Sequence, residues 1–369
     1  MTDHLKDKIQ VLLAGFLIHL MLGCVFLWGN ISPYVLSYFY HFGGSDGKGQ
    51  KGIRMSDTVF VTPINLLVVM FTNPIGAYLS KKWNPKLLFA MGTTFAVAAA
   101  LLASITTSFW MFLAVYPITF GLTVGCCYLP PLQCGWEWMP QRKGIVNGLI
   151  LGAFGFGSFV FSFVSLAVVN PDNVQAIIYE DGYKFYPPEV AIRVPYLFRT
   201  IACIWALLGL CAGLLIKRNP EFINEGTSSF DDQLSFREGI RTKMFWYLFT
   251  MDFCSVFPLF MLASVWKTVG LKHGNIDDYT LTLIGSLGSV ANGLSRVVWG
   301  PIQDATCFMF VYKTVLTTEL IVCLSLFWAV KISALLYLVV LLMGFTCLGA
   351  HFVMFPGVIL KIFGMKAGG

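Results

Sequence analysis

The chain has 369 residues, of which 57% are hydrophobic and 12% charged, with a formal net charge of +6 and a mean hydropathy of +0.73. A soluble domain carries about a quarter of charged residues, so this composition excludes one. The surplus basic residues are scattered among short loops rather than gathered in a patch, which excludes a nucleic-acid partner and leaves a lipid bilayer.

Apolar stretches long enough to cross a hydrocarbon core of about 30 Å recur along the whole sequence. None has the ten-residue alternation of a membrane β-barrel strand, about ten residues being the length such a strand needs. The expected class is an all-α polytopic membrane protein. Ten spans are expected in chain order, at 9–39, 57–80, 86–106, 109–135, 143–169, 196–217, 244–266, 279–303, 309–330 and 334–362. The charged start "MTDHLKDKIQ" leads into the first span without a small-residue cleavage site, so it reads as the start of a membrane helix and not a removed signal.

The first span contains "WGNISPY", where Trp28, Asn30 and Tyr34 surround Pro33 and a bend can turn side chains toward a central site. His19, in "FLIHLML", has only apolar neighbours and reads as a structural histidine. Asn30-Ile-Ser32 fits a glycosylation acceptor but lies inside a span. The following loop, "GGSDGKGQKG", lacks the Ser or Thr that a phosphate-binding loop has after its lysine, and reads as a flexible outer loop. In the fourth span, "CCYLPPLQC" sets Tyr128 and Gln133 beside a proline break. All ten cysteines, Cys24 to Cys347, fall in or beside apolar segments without a CxxC pair, so no disulfide, metal or cofactor is expected. "GIVNGLILGAFGFGS" in the fifth span spaces Gly144, Gly148, Gly152, Gly155 and Gly157 mostly three or four apart, a smooth stripe for a closely approaching helix. Gly148 and Gly152 are candidate gating positions on that stripe.

Two long connections follow, 170–195, rich in Pro and Tyr, and 218–243, where acids and bases mix. The second reads as a cytoplasmic linker between a six-helix half, residues 1–217, and a four-helix half, 244–369. Counting Lys and Arg with the amino terminus inside gives 15 inner against 9 outer, with Lys267 placed in an outer loop and Arg296 in neither set. The bias favours a cytoplasmic amino terminus. The expected location is the plasma membrane rather than an organelle, with a monomer as the expected state.

The eighth span holds "VANGLSRVVWGPIQD", with Arg296 near its middle. An arginine at a helix centre costs about 2.5–3.5 kcal/mol for insertion, against roughly 0.3–0.6 kcal/mol gained per Leu, Ile or Val. Nine such residues in this span are offset by Asn292 and several Gly and Ser, so the polar side must face protein or a wet cavity. Asn292, Trp299 and Gly300 share the face of Arg296 at helical spacing. A guanidinium there is suited to grip a carboxylate with two parallel bonds. A salt bridge to the buried acids Asp252 or Glu319 is the purely structural alternative. His351, in "LGAHFVMFPG" before a proline break, is a further cavity candidate. Enzyme signatures such as HExxH and GxSxG are absent, and no enzymatic activity is expected.

"NGLSRVVWGPIQD" resembles the eighth helix of major facilitator superfamily carriers of the oxalate:formate antiporter and monocarboxylate group. "GWEWMPQRKGIVNGLILGAFGFGS", "WKTVG", "WGNISPY" and "FPGVILKIFG" resemble other parts of the same group, so that the resemblance covers essentially the whole chain. It implies the superfamily fold, a central site between two halves, and alternating access. It also implies that Arg296 holds the carboxylate of a small organic anion, with Asn292, Tyr128, Asn30, Tyr34 and His351 around it. Gly300 and Asp304 match the superfamily's loop motif and are gating candidates, whereas "NPIGAYLSKKWNPK" after the second helix lacks the motif's acid.

The proton-coupled members of the group carry an aspartate four residues before the arginine, where this chain has Asn292. The expected function is therefore secondary transport of mono- or dicarboxylates by exchange or uniport rather than proton symport. The family has twelve helices, and the second basic residue it places in the eleventh has no counterpart here, for which a truncated sequence is the favoured explanation. The alternatives are a non-transporting sensor or scaffold with the same fold, or a carrier of another small molecule.

Overall fold

The computed structural model describes residues 2–44, 47–140, 143–178, 184–220 and 236–368. Ten helices among them are long and apolar enough to cross a membrane: α1 (Leu5–Phe42), α2 (Met55–Ser80), α3 (Pro85–Ile105), α4 (Phe109–Trp138), α5 (Ile145–Val169), α6 (Pro188–Leu215), α7 (Lys243–His273), α8 (Asp278–Gln303), α9 (Phe308–Ile332) and α10 (Ala334–Pro356). These are the ten expected spans, with shifted ends. One shift matters most: α7 continues past 266 to His273, which puts Lys267 inside the helix instead of in an outer loop. Most of the expected linker, 221–235, lies outside the described residues.

Local chemistry sets several of these ends. Asn84, Ser108, Thr242 and Asp277 each accept a backbone N–H of the first turn of α3, α4, α7 and α8, satisfying donors a helix start leaves unpaired. Helix α1 tightens into a 3₁₀ turn at Gly23–Leu27, and the helical run of α4 is interrupted at Tyr128, just before Pro130 and Pro131. Both irregularities fall inside candidate membrane spans, where non-helical backbone is tolerated only inside protein.

Helices α1–α6 pack chiefly on one another and α7–α10 on one another. The two groups meet along α5 against α8 and α1 against α7. Glycines make these seams possible. A side chain at Gly155 would collide with the backbone of Gly293 on α8, and one at Gly29 with the carbonyl of Ala263 on α7. By contrast, a Cβ at Gly152 would meet nothing within 4 Å, and at Gly148 only Val297, at 4.0 Å. The closest approach of α5 to α8 thus falls at Gly155, further toward the far end of the stripe than Gly148 and Gly152.

The amino terminus marks one face of the bundle, the near face; the opposite, far face carries the loops that join α1 to α2 and α7 to α8. Over the far end of α1 lies a two-stranded antiparallel hairpin, β1 (Ile177–Ile178) and β2 (Lys184–Phe185). Phe185 stacks on Tyr40 at 4.2 Å, and Tyr186 N–H donates to Ser37. On the near face, Arg218 donates two bonds to Glu137, at 3.0 and 2.6 Å, which raises the arginine's pKa above its ordinary value.

Gly155→Val should lower the stability of the purified protein by about 1–3 kcal/mol, the usual range for overpacking, while Gly152→Ala should leave its thermal unfolding nearly unchanged. Equal effects of the two in a thermal-unfolding assay would contradict the placement of this seam.

Candidate functional site

A cavity of about 310 Å³ lies between the two helix groups. Tyr128 on α4, Phe154 on α5, Asp252 on α7, and His351 and Phe352 on α10 line it. It reaches from Val25 and Phe26, midway along α1, toward the near face, at Asn73 of α2 and at Ile359, just past the end of α10.

Arg296 stands behind the apolar wall of this cavity and is 4% exposed. Its guanidinium carbon lies 4.2 Å from the ring centre of Phe352 and 5.1 Å from that of Phe154, so two cavity-lining rings stack against it. Nε and Nη2 donate to the Asn292 side-chain oxygen at 3.2 and 3.0 Å, and Nη1 donates to the Leu151 carbonyl at 3.4 Å. Three of the five guanidinium N–H bonds therefore have partners. Among the described residues no carboxylate comes within 4.0 Å of it; Asp252 and Glu319, the acids that could have closed a salt bridge, do not. The Asn292 side-chain nitrogen and the Trp299 indole nitrogen on the same helix also lack partners. The result is a buried cation with unused donors behind two aromatic rings.

Tyr128 and His19 complete the wall. Their rings are 5.3 Å apart, and both contact Phe154, at 5.6 and 6.1 Å. His19 donates from Nδ1 to the Gly15 carbonyl at 3.1 Å, and its Nε2 has no partner. The histidine read from sequence as merely structural thus stands beside the candidate site.

Asn30 and Tyr34 do not line the cavity; they form part of a second polar cluster nearer the far face. Lys267, 0% exposed, pairs with Asp278 at 2.6 Å. Its ammonium also donates to Asn30 at 2.8 Å and to Thr282 at 3.3 Å, and lies 4.4 Å from the centre of the Tyr34 ring. Asp278 accepts from the Tyr34 hydroxyl and from Asn170, the latter at 2.5 Å. Lys267 and Asp278 belong to α7 and α8, whereas Asn30, Tyr34 and Asn170 come from α1 and the end of α5. The ion pair is internal to one helix group, and its hydrogen bonds reach across to the other. This latch holds the far ends of the two groups together. Of the remaining candidates, Gly300 has only Val353 near a built Cβ, at 3.5 Å. The Asp304 side chain lies outside the described residues.

The sequence model of the Major Facilitator Superfamily matches residues 11–369. The chain belongs to that superfamily. The Toxoplasma gondii protein named apicoplast pyruvate carrier 1 is 25% identical over 427 aligned positions, covering 96% of this chain and 78% of the relative. The oxalate:formate antiporter of Oxalobacter formigenes is 21% identical, covering 86% of this chain and 71% of its own. Among solved structures, the Escherichia coli xylose transporter XylE, in a partially occluded inward open conformation, aligns with a TM-score of 0.68 at 10% identity, covering 98% of this chain and 89% of that one. A bacterial homologue of the human lysosomal transporter Spinster, inward-facing and unoccupied, aligns with a TM-score of 0.69 at 13% identity, covering 98% and 77%. These structural likenesses establish the fold.

Removing one member of a buried ion pair is strongly destabilising, by about 3–5 kcal/mol, because the other is left uncompensated. Lys267→Met and Asp278→Asn should each lower thermal stability by that order, and the double variant should lose less than the sum of the two. Additive losses would contradict the pairing.

Proposed function

We propose that this superfamily member carries small mono- or dicarboxylates across the membrane by alternating access, with Arg296 as the group that holds the substrate carboxylate. The observation that carries the reading is the state of Arg296: buried, short of hydrogen-bond partners, and separated from a 310 Å³ cavity by the rings of Phe154 and Phe352. Rotation of either ring would bring a planar fork of donors to the cavity, a shape matched to a carboxylate. The names of the Toxoplasma and Oxalobacter relatives point to the same class of substrate.

In this reading the conformation is the one open to the near face. The cavity extends toward that face, and the Lys267–Asp278 latch closes the other. The moving bodies are residues 1–217 and 244–369, rocking about the α5–α8 and α1–α7 seams. An anion on Arg296 balances its charge, which lowers the cost of closing the apolar wall around it. Asn292 and Tyr128 complete the binding site, and His351 sits across the cavity. Asn30 and Tyr34 act through the latch. Because Asn292 and no acid accompanies the arginine, its charge is permanent, and its own surroundings favour exchange or uniport over proton symport. The Lys and Arg bias, with Lys267 withdrawn from the outer count, favours a cytoplasmic near face.

Purified protein in liposomes should take up labelled pyruvate or oxalate. Arg296→Gln should reduce uptake by at least about 30-fold, since truncating a desolvated charge partner costs about 2–5 kcal/mol. Undiminished uptake by that variant would refute the assignment.

A further inference from the structure

The cavity between the helix groups has a polarity of its own. Among the described residues that line it, five are polar: Asn65 and Asn73 on α2, Tyr128 on α4, Asp252 on α7 and His351 on α10. Asp252 is the one Asp, Glu, Lys or Arg in that lining. It is half-buried, and no Lys, Arg or His among the described residues comes within 4.0 Å of it. His351 is engaged elsewhere: its ring nitrogens lie 2.9 Å from the Cys347 carbonyl and 2.8 Å from the Ser255 hydroxyl. Outside the lining, Glu319 stands 3.6 Å from the same ring. A carboxylate side chain is therefore what the cavity shows to whatever enters it.

Helix α2 adds further acceptors. Asn65, Val69 and Asn73 follow one another at intervals of four, so one face of α2 brings all three to the cavity. Asn65 is 5% exposed; its side-chain nitrogen donates to the Pro117 carbonyl at 3.0 Å, and its oxygen has no partner. The Asn73 side-chain oxygen has none either. The unmet groups around Arg296 are of the opposite kind: guanidinium N–H bonds, the Asn292 nitrogen and the Trp299 indole nitrogen. Spare donors are gathered behind Phe154 and Phe352, and spare acceptors on α2 and α7.

We propose that the preferred cargo of this cavity is a monocarboxylate that also carries an amine, with Arg296 holding the carboxylate and Asp252 the ammonium. The inference rests on the carboxylate reading of Arg296, narrows it, and is tested apart from it. An intramembrane acid on a cavity wall marks a functional site with a partner to be named, and here the cargo supplies the partner.

Electrostatics is the physical link. Low-dielectric walls strengthen the interaction between charges that share a cleft. A plain carboxylate gripped by Arg296 shares the cavity with Asp252, is repelled by it, and leaves the oxygens of α2 unmet. An ammonium on the same molecule turns that repulsion into attraction. Its three N–H bonds can serve the Asp252 carboxylate and the α2 amides together. A molecule with both ends thus satisfies donors and acceptors at once, whereas pyruvate or oxalate satisfies only the donors.

The test sets carbon-matched pairs against labelled-pyruvate uptake into liposomes holding the full chain: alanine and β-alanine against propionate, and 4-aminobutyrate against butyrate. At least one amino member should inhibit at about a tenth of the concentration its plain counterpart needs, the gain expected from one charged hydrogen bond. Propylamine, which has the amine alone, should inhibit poorly. In Asp252→Asn the amino advantage should vanish, and the plain carboxylates should inhibit at lower concentrations than before, because the repulsion is gone. The wild-type comparison stands whether or not that variant folds. The same ranking, read as thermal stabilisation of the protein in detergent, does not require pyruvate to be transported. Loss of stabilisation by propionate and butyrate in Arg296→Gln tests the carboxylate reading alone. No amino advantage in any pair, an advantage that persists in Asp252→Asn, or propylamine matching the amino acids would each overturn the proposal.

Discussion

A permanently charged guanidinium buried among membrane helices is the constraint around which the rest of the structure is arranged. Arg296 cannot shed its proton at any physiological pH, and α8 is too weakly apolar to hold it against lipid. The protein meets the charge with one amide oxygen, one backbone carbonyl and two aromatic faces, all neutral. Such partners soften the cost of burial without cancelling the charge. The α5–α8 seam, where Gly155 lets the two helices touch backbone to backbone, brings Phe154 and the Leu151 carbonyl to the arginine from the opposite helix group. The site thus depends on contact between the groups, which is what alternating access would make and break.

The second buried cation is handled in the opposite way. Lys267 has a full counter-charge in Asp278, and the hydrogen bonds to Asn30, Tyr34 and Asn170 satisfy much of what remains. Paired charges hold a fold together; an unpaired one attracts a ligand. The contrast separates a latch at the far face from the proposed binding site at the cavity, although both are built from the same residue chemistry. Parting the helix groups would strip the latch of its neutral partners while leaving its ion pair whole, so opening the far face need not leave either charge alone.

Much of this was legible in the sequence. Ten spans, the glycine stripe on α5 and the buried arginine follow from hydropathy, spacing and insertion energetics. Lys267 was hidden by its position: a lysine after a tryptophan near the end of an apolar run looks like a loop anchor, and the seven further residues of α7 break the apolar pattern with Lys272 and His273. Asp278, at the first turn of α8, had the look of an ordinary helix start. Phe154 and Phe352 carry no mark in the sequence, because apolar rings are interchangeable with packing residues until the fold sets them against a cation. Asn30 and Tyr34 were singled out as polar residues that a bend at Pro33 could turn toward a central site; both are buried, but only the contact of α1 with α7 and α8 decides which cluster receives them. His19 likewise gains meaning from neighbours more than a hundred residues away.

The central claim is that Arg296 receives the carboxylate. Determining the structure of the protein with oxalate bound tests it most directly. The account predicts a carboxylate within hydrogen-bond distance of the Arg296 guanidinium, about 2.7–2.9 Å, with the ring of Phe154 or Phe352 displaced from its present place. Oxalate seated elsewhere in the bundle, with Arg296 still covered by both rings, would contradict it.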